Sequence, residues 1–114
     1  MSSIDRELKR GTLEMILLRL LSSRPTYGYE LVSTLQARLG QQFQLKEGTL
    51  YPVLYRLEDA GFVEARWETL ERGVPRKYYQ LTDAGVRQLQ VLEGEWRTFV
   101  AAVNHLLEKG EEAK

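Results

Sequence analysis

The stretch EGTLYPVLYRLEDAGFVEARWETLERGVPRKYYQLTDAG, residues 47–85, decides the fold of this chain. Apolar residues three and four positions apart predict a helix over 48–60, and Gly61 is of the type that commonly ends a helix. Pro52 constrains where this helix begins, because proline is tolerated only in the first turn. With Thr49 as the cap, Pro52 would be the third helical residue and no backbone hydrogen bond would be lost.

A two-stranded hairpin is predicted after this helix. Residues 62–68 and 76–81 alternate between apolar and polar side chains, as half-buried strands do. Gly73 and Pro75 between them suit a hairpin loop. A long helix is then predicted over 82–109. The order helix, hairpin, helix predicts the second half of a winged helix-turn-helix.

Two amphipathic helices are predicted before this stretch. The first covers 5–22 and the second covers 27–39, with Thr26 as its N-cap and Gly40 as its end. The expected fold class is therefore mainly α with a small β-hairpin, as a winged helix-turn-helix plus a long C-terminal helix.

Polar and aromatic side chains on the third helix, followed by a basic loop, are typical of duplex DNA binding. Residues 72–80 carry three basic residues and no acidic one. Taken singly, these features also fit a solvated helix face and a solubilising loop, but their succession at this spacing favours DNA. The candidate groove contacts are Thr49, Tyr51, Pro52 and Arg56. The candidate phosphate contacts are Lys46, Arg72, Arg76 and Lys77.

The last predicted helix carries a coiled-coil pattern, with apolar residues stepping by three and four through nearly three heptads. Thr82 is its predicted N-cap. At about 1.5 Å per residue this helix would be about 40 Å long, and its apolar stripe needs a second surface, which a second subunit supplies. We therefore predict a DNA-binding domain over 1–81 and a dimerisation helix over 82–114. The predicted dimer interface consists of Leu89, Leu92, Trp96, Phe99, Val103 and Leu106.

Trp96 has two interpretations. It is either an aromatic residue of the dimer seam or one wall of a pocket for a small aromatic ligand at the dimer centre. In the second case Met15, Leu92 and Val100 are the other candidate lining residues.

Composition excludes several classes of protein. The 114 residues include no cysteine and one histidine, which excludes disulfides, thiol catalysis and a transition-metal site. No Gly-rich phosphate loop or catalytic cluster occurs, so neither an enzyme nor a cofactor is expected. The absence of a signal-peptide pattern and of a membrane-length apolar run predicts a cytoplasmic protein. A net charge of zero, from 16 basic and 16 acidic residues, leaves open a winged-helix module for protein–protein contact.

Several separated motifs resemble those of the PadR family of transcriptional regulators, in the family's order and spacing over about residues 8–86. The motifs are TYGYEL at 26–31, EGTLYP at 47–52, RLE at 56–58 with AGFV at 60–63, and RKYY at 76–79 with LT at 81–82 and Gly85. The single C-terminal helix is similar to that of the family's short subgroup. Tyr27 departs from the pattern, because the family commonly has histidine there.

The resemblance implies a homodimeric repressor in which the last helix packs against the partner's N-terminal helix. It implies that the third helix enters the major groove of a pseudo-palindromic operator and that the wing contacts the backbone. It also implies release by a small molecule or a stress signal. Trp96 resembles a tryptophan that, in a multidrug-sensing member, stacks on flat aromatic compounds at the dimer centre.

Overall fold

The computed structural model describes residues 3–43, 46–69 and 73–109, which form four helices and three strands. In chain order these are α1 Ser3–Leu21, β1 Thr26–Tyr27, α2 Gly28–Phe43, α3 Glu47–Asp59, β2 Val63–Glu68, β3 Arg76–Leu81 and α4 Asp83–Lys109. The predicted class, mainly α with a small β-hairpin and a long last helix, is confirmed.

The core lies where α1, α2 and α3 meet. Leucine and valine side chains at helical spacing supply most of it, as the apolar stripes predict. The sheet adds Val63 and Tyr79, and α4 adds Leu89, because these elements pack on the three helices with one face only. The buried residues are Leu13, Leu17, Leu18, Leu21, Leu31, Val32, Leu35, Leu50, Val53, Leu54, Leu57, Val63, Tyr79 and Leu89.

The sheet has the antiparallel order β1-β3-β2, and its first strand differs from the prediction. Thr26 was predicted to cap α2, but Thr26 and Tyr27 are extended and pair with Tyr79 and Tyr78 of β3. The Thr26 side chain is buried, and its hydroxyl donates to the Arg24 carbonyl at 3.1 Å. Backbone pairing with β3 therefore replaces the predicted side-chain cap, and α2 begins at Gly28.

Two helix boundaries also differ from the sequence-based expectation. Gly40 was expected to end α2, but the helix continues to Phe43, since glycine in a helix interior costs only about 1 kcal/mol. Helix α3 begins at Glu47, so Pro52 is its sixth residue and lies outside the first turn. Proline has no N–H to donate, so the Gly48 carbonyl lacks its usual helical partner there.

The end of α3 is fixed by a Schellman motif, as the glycine predicted. Gly61 has a φ of +83°, a left-handed conformation that favours glycine. Its N–H donates to the Glu58 carbonyl at 3.0 Å, and the Phe62 N–H donates to the Leu57 carbonyl at 3.0 Å. The turn directs the chain into β2.

The start of α4 is locked onto this turn. The Thr82 hydroxyl accepts from the Gly85 N–H at 3.0 Å, which confirms the predicted cap, and it donates to the Gly61 carbonyl at 2.6 Å. The Thr82 N–H donates to the Phe62 carbonyl at 3.1 Å. Gly85 lies so close to Phe62 that a Cβ would be 1.9 Å from the carbonyl oxygen. The direction of α4 is thus set by the end of α3.

Candidate nucleic-acid interface

Helix α3 presents most of its predicted groove contacts to solvent. Thr49, Pro52 and Arg56 are exposed, whereas Tyr51 is half-buried. Residues spaced by three and by four share one side of a helix, so the three exposed side chains form a row along α3. Lys46, immediately before the helix, is exposed as well. The apolar stripe faces the core, so this outer side of α3 is the part free to enter a groove.

A groove of about 640 Å³ lies between the N-terminal ends of α2 and α3 and the wing, which consists of β2, β3 and their loop. Four of the chain's six tyrosines line it. Its described lining residues are Tyr27, Gly28, Tyr29, Tyr51, Tyr55, Trp67, Gly73, Val74, Pro75, Arg76 and Lys77. We call it the tyrosine groove.

The tyrosine groove brings together three predicted site residues that are distant in sequence, namely Tyr51, Arg76 and Lys77. Tyr29 and Trp67, which also line it and are largely exposed, were not predicted. For Tyr29 the sequence signal was the repeated occurrence of tyrosine in the motifs at 26–31, 47–52 and 76–79, whereas no such signal marked Trp67. Arg72 lies outside the described residues, so its phosphate contact remains a prediction.

Arg76 is oriented by aromatic rings and keeps its charge available. Its guanidinium carbon lies 4.5 Å from the centre of the Tyr27 ring, a cation–π contact. Tyr27 in turn stacks near Tyr29, with the ring centres 6.4 Å apart. Within the described parts of the chain no carboxylate pairs with Arg76, and its side chain is exposed. Arg76 is therefore held in place without being neutralised.

Lys77, the next residue of β3, is in a different environment. Its ammonium nitrogen lies 3.2 Å from Glu58 Oε1 on α3. It also lies 5.5 Å from the centre of the Tyr55 ring and 5.1 Å from that of Tyr79. Burial acts to lower the pKa of Lys77, but the hydrogen bonds to Tyr79 and Glu58 outweigh it and raise the pKa. Lys77 is therefore charged at neutral pH and already paired.

Tyr51, which lines the tyrosine groove, and the buried Tyr79 are neutral phenols. Burial is the main cause that raises the pKa of Tyr51, and nearby Glu47 adds to it. Burial also raises the pKa of Tyr79, against the opposing effect of Lys77. Both phenols therefore keep their proton at physiological pH, and the Tyr51 hydroxyl is available as a hydrogen-bond donor to an anion.

The predicted dimer interface residues on α4 fall into two groups. Leu89 is 5% exposed and belongs to the core of its own chain, and Leu92 packs against that core. Beyond them Trp96, Phe99 and Leu106 are 40%, 58% and 64% exposed. Because Leu89 is buried within its own chain, the solvent-exposed part of the apolar stripe of α4 begins after Leu89. The half-buried Val100 and Val103 lie within that part.

A second groove, of about 310 Å³, lies between α1, α2 and α4. It brings together Met15 and Trp96, two of the four residues predicted to line an effector pocket, whereas Leu92 and Val100 are not part of its lining. The remaining lining residues are Ile16, Arg19, Leu20, Leu35, Arg38, Leu39, Glu93 and Arg97. We call it the Trp96 groove.

An ion pair closes one side of the Trp96 groove and joins α1 to α4. Arg19 donates through Nε to Glu93 Oε2 at 2.7 Å and through Nη2 to Glu93 Oε1 at 2.6 Å. This two-pronged geometry is the strong form of an arginine–carboxylate pair. The Arg19 charge is thereby neutralised.

Two features are absent from the described residues. No group of three or more histidine, cysteine, aspartate or glutamate side chains is placed to hold a metal ion there. No described helix is long and apolar enough to cross a membrane.

Comparison with protein families gives one match that spans most of the fold. The family described as the transcriptional regulator PadR-like family matches residues 17–91. This range includes α2, α3, the wing and the first part of α4.

Two relatives are similar in sequence over two thirds or more of this chain. An uncharacterised protein of Lysinibacillus sphaericus is 39% identical over 93 residues, which are 82% of this chain and 85% of that protein. The negative transcriptional regulator PadR of Bacillus subtilis is 34% identical over 77 residues, which are 68% of this chain but only 42% of that longer protein.

Among solved structures, a PadR family transcriptional regulator from Eggerthella lenta is similar, at 40% sequence identity and a TM-score of 0.73. The superposition covers 93% of this chain and 87% of that one. The family and its solved relatives are transcriptional regulators rather than enzymes.

Proposed function

Because the chain belongs to the PadR-like family of transcriptional regulators, we propose that it is a homodimeric repressor which binds a pseudo-palindromic operator in duplex DNA. The proposal rests on the tyrosine groove, in which Tyr51 and Tyr55 of α3 lie near the exposed Arg76 of the wing. The Bacillus subtilis relative is a negative regulator, which supports repression here. A regulator of this kind acts where the DNA is, so we place it in the cytoplasm.

In the proposed complex, residues 1–81 read the DNA and α3 lies in the major groove. Thr49, Pro52 and Arg56 form the exposed row that faces base edges, and arginine is the side chain best suited to guanine. We assign the phosphate contacts to Lys46, which immediately precedes α3, and to Arg76 of the wing. The neutral Tyr51 hydroxyl donates a further hydrogen bond from the tyrosine groove.

Residues 82–114 are the proposed dimerisation helix. The exposed apolar side chains of α4 beyond Leu89 would cost free energy in water, and a second copy of the chain can cover them. The two-fold axis then sets the separation of the two α3 helices. An inverted repeat in the operator would match that symmetry.

We further propose that a small planar aromatic effector releases the repressor by binding the Trp96 groove. The volume of about 310 Å³ is at the lower end for small-molecule sites, and aliphatic side chains and one indole line most of it. The groove lies between α1 and α4, so an occupant would change how α4 leaves the body. Such a change alters the spacing of the two α3 helices.

Two features favour a second candidate function. A net charge of zero and the exposed apolar groups of the tyrosine groove, Tyr29, Trp67 and Val74, suit a protein partner better than a polyanion. In that case the winged helix is a protein–protein interaction module without DNA binding. The first experiment below separates the two.

The proposal is tested by selecting duplexes from a random-sequence library with the unmodified chain and measuring affinity by fluorescence anisotropy at several salt concentrations. Arg76→Ala should weaken binding to every sequence and lower the slope of log K against log[salt] by about 0.9 per chain. Arg87→Ala, an exposed arginine on α4 away from the wing, is the control and should leave the slope unchanged. If Arg76→Ala leaves the affinity and the salt slope unchanged, the wing is not part of the DNA interface. Failure to select any duplex would favour the protein-binding function.

A further inference from the structure

Lys77 and three residues around it connect the wing to α3. Glu58 and Tyr55 belong to α3, whereas Lys77 and Tyr79 belong to β3. The ammonium group contacts the Glu58 carboxylate at 3.2 Å and lies beside both rings. We call these four residues the Lys77 cluster.

We infer that Lys77 is a positioning residue that fixes the angle between the wing and α3, and that it does not contact a phosphate. The inference rests on the proposed function and deepens it, because it states how the two parts of the DNA-binding face keep their relative position. It also assigns a role to Glu58, an acidic residue that a DNA-binding helix would otherwise have reason to avoid.

The geometry argues against a phosphate contact by Lys77. Its side chain is 28% exposed and that of Glu58 is 33% exposed, so both charges are partly withdrawn from solvent. If Lys77 turned toward a phosphate, it would leave the Glu58 carboxylate unpaired beside the polyanion. Like charges at that distance repel, so the exchange gains little. Arg76 has no such competing carboxylate among the described residues.

The connectivity explains why such a link is useful. The Schellman turn after α3 fixes the start of β2, and the Thr82 hydrogen bonds to Gly61 and Phe62 fix the end of β3, but the Arg76 end of β3 lies at the far end of the hairpin from these contacts. The bond from Lys77 to Glu58 joins β3 back to the last turn of α3. Arg76 is the neighbour of Lys77, so the same link determines where Arg76 is placed relative to the major groove.

The decisive variant is Glu58→Ala, because the two roles of Lys77 predict opposite signs. If Lys77 positions the wing, loss of Glu58 should weaken binding to the duplex that the unmodified chain selects. The expected loss is about tenfold in affinity, because a dimer contains two such links. The slope of log K against log[salt] should stay unchanged. If Lys77 is a phosphate contact restrained by Glu58, the same change should strengthen binding and steepen the slope. Asp59→Ala is the matched control, because Asp59 is the adjacent exposed acid on α3 and should give only a slight increase in affinity.

The exchanged pair Glu58→Lys with Lys77→Glu keeps the net charge and restores an ion pair at the same place. It should recover most of the affinity that Lys77→Glu alone loses, whereas a phosphate contact would not be restored. Thermal unfolding of each variant separates loss of fold from loss of position, since surface changes of this kind should leave the transition nearly unmoved. Tighter binding by Glu58→Ala, or no recovery in the exchanged pair, would overturn the inference. If the unmodified chain selects no duplex at all, the proposed function fails and this inference fails with it.

Discussion

Replacement of Gly85 by alanine should destabilise the protein, because the first turn of α4 leaves no room for a side chain. A Cβ at this position would lie 1.9 Å from the Phe62 carbonyl oxygen and 3.3 Å from Leu81 Cδ2. Close carbon–oxygen contacts in proteins are about 3.3–3.6 Å. The Phe62 oxygen belongs to the backbone and already accepts from the Thr82 N–H, so it cannot turn away as a flexible side chain would.

The magnitude follows from three contributions. Relief of the overlap costs about 1–3 kcal/mol, as overpacking usually does. The shift of α4 weakens the two hydrogen bonds that join Thr82 to Phe62 and Gly61, each contributing about 1 kcal/mol. The better helix propensity of alanine offsets about 1 kcal/mol. The net loss in the free energy of unfolding should be about 2–4 kcal/mol.

The assay is urea unfolding followed by circular dichroism, with all variants at one protein concentration because the proposed dimer would make stability depend on concentration. Gly94→Ala is the matched control, since Gly94 lies in the same helix and a Cβ there meets nothing within 4 Å. This variant should gain about 0.5–1 kcal/mol. If Gly85→Ala proves as stable as the unmodified chain, the close packing of α4 on the end of α3 is refuted.

Three further predictions concern the dimer, the effector and pH. Phe99→Glu should shift the chain toward the monomer in sedimentation velocity, whereas a dimer of unchanged stability would contradict the role of α4. Planar aromatic compounds should quench tryptophan fluorescence, and Trp96→Ala should abolish this effect because Trp67 lies elsewhere; quenching that persists would exclude the Trp96 groove. Since the folded-state pKa values of Tyr51 and Tyr79 are raised above the ordinary 10.0, their neutral forms stabilise the fold below that pH and this contribution is lost above it. Urea unfolding from pH 8 to 11 should show level stability and then a decline, and a rise with pH would contradict the burial of these phenols.

The regular elements were predictable because their signals are local. The three-and-four spacing through Leu50, Val53, Leu54 and Leu57 identifies the buried side of α3, and Gly61 marks its end. Strand β1 was missed because two residues carry no periodic pattern. Their extended conformation depends on pairing with β3, which is far away in the chain.

The candidate site was predictable only in part, for the same physical reason. Basic residues of the wing and polar residues of α3 are visible as local charge and pattern. The convergence of Tyr27, Tyr29 and Trp67 on one groove depends on how α2 and the wing pack, which no local pattern records. The pairing of Lys77 with Glu58 is also a tertiary contact, so from sequence Lys77 resembles any other basic residue of a wing.

The most direct test of the account is the stoichiometry and symmetry of the complex with selected duplex DNA. Sedimentation equilibrium of the unmodified chain with a duplex enriched from a random-sequence library should give two chains per duplex, and the enriched sequences should contain an inverted repeat. A folded dimer that enriches no sequence and binds no duplex at low salt would contradict the central claim, as would a single chain bound to an asymmetric sequence.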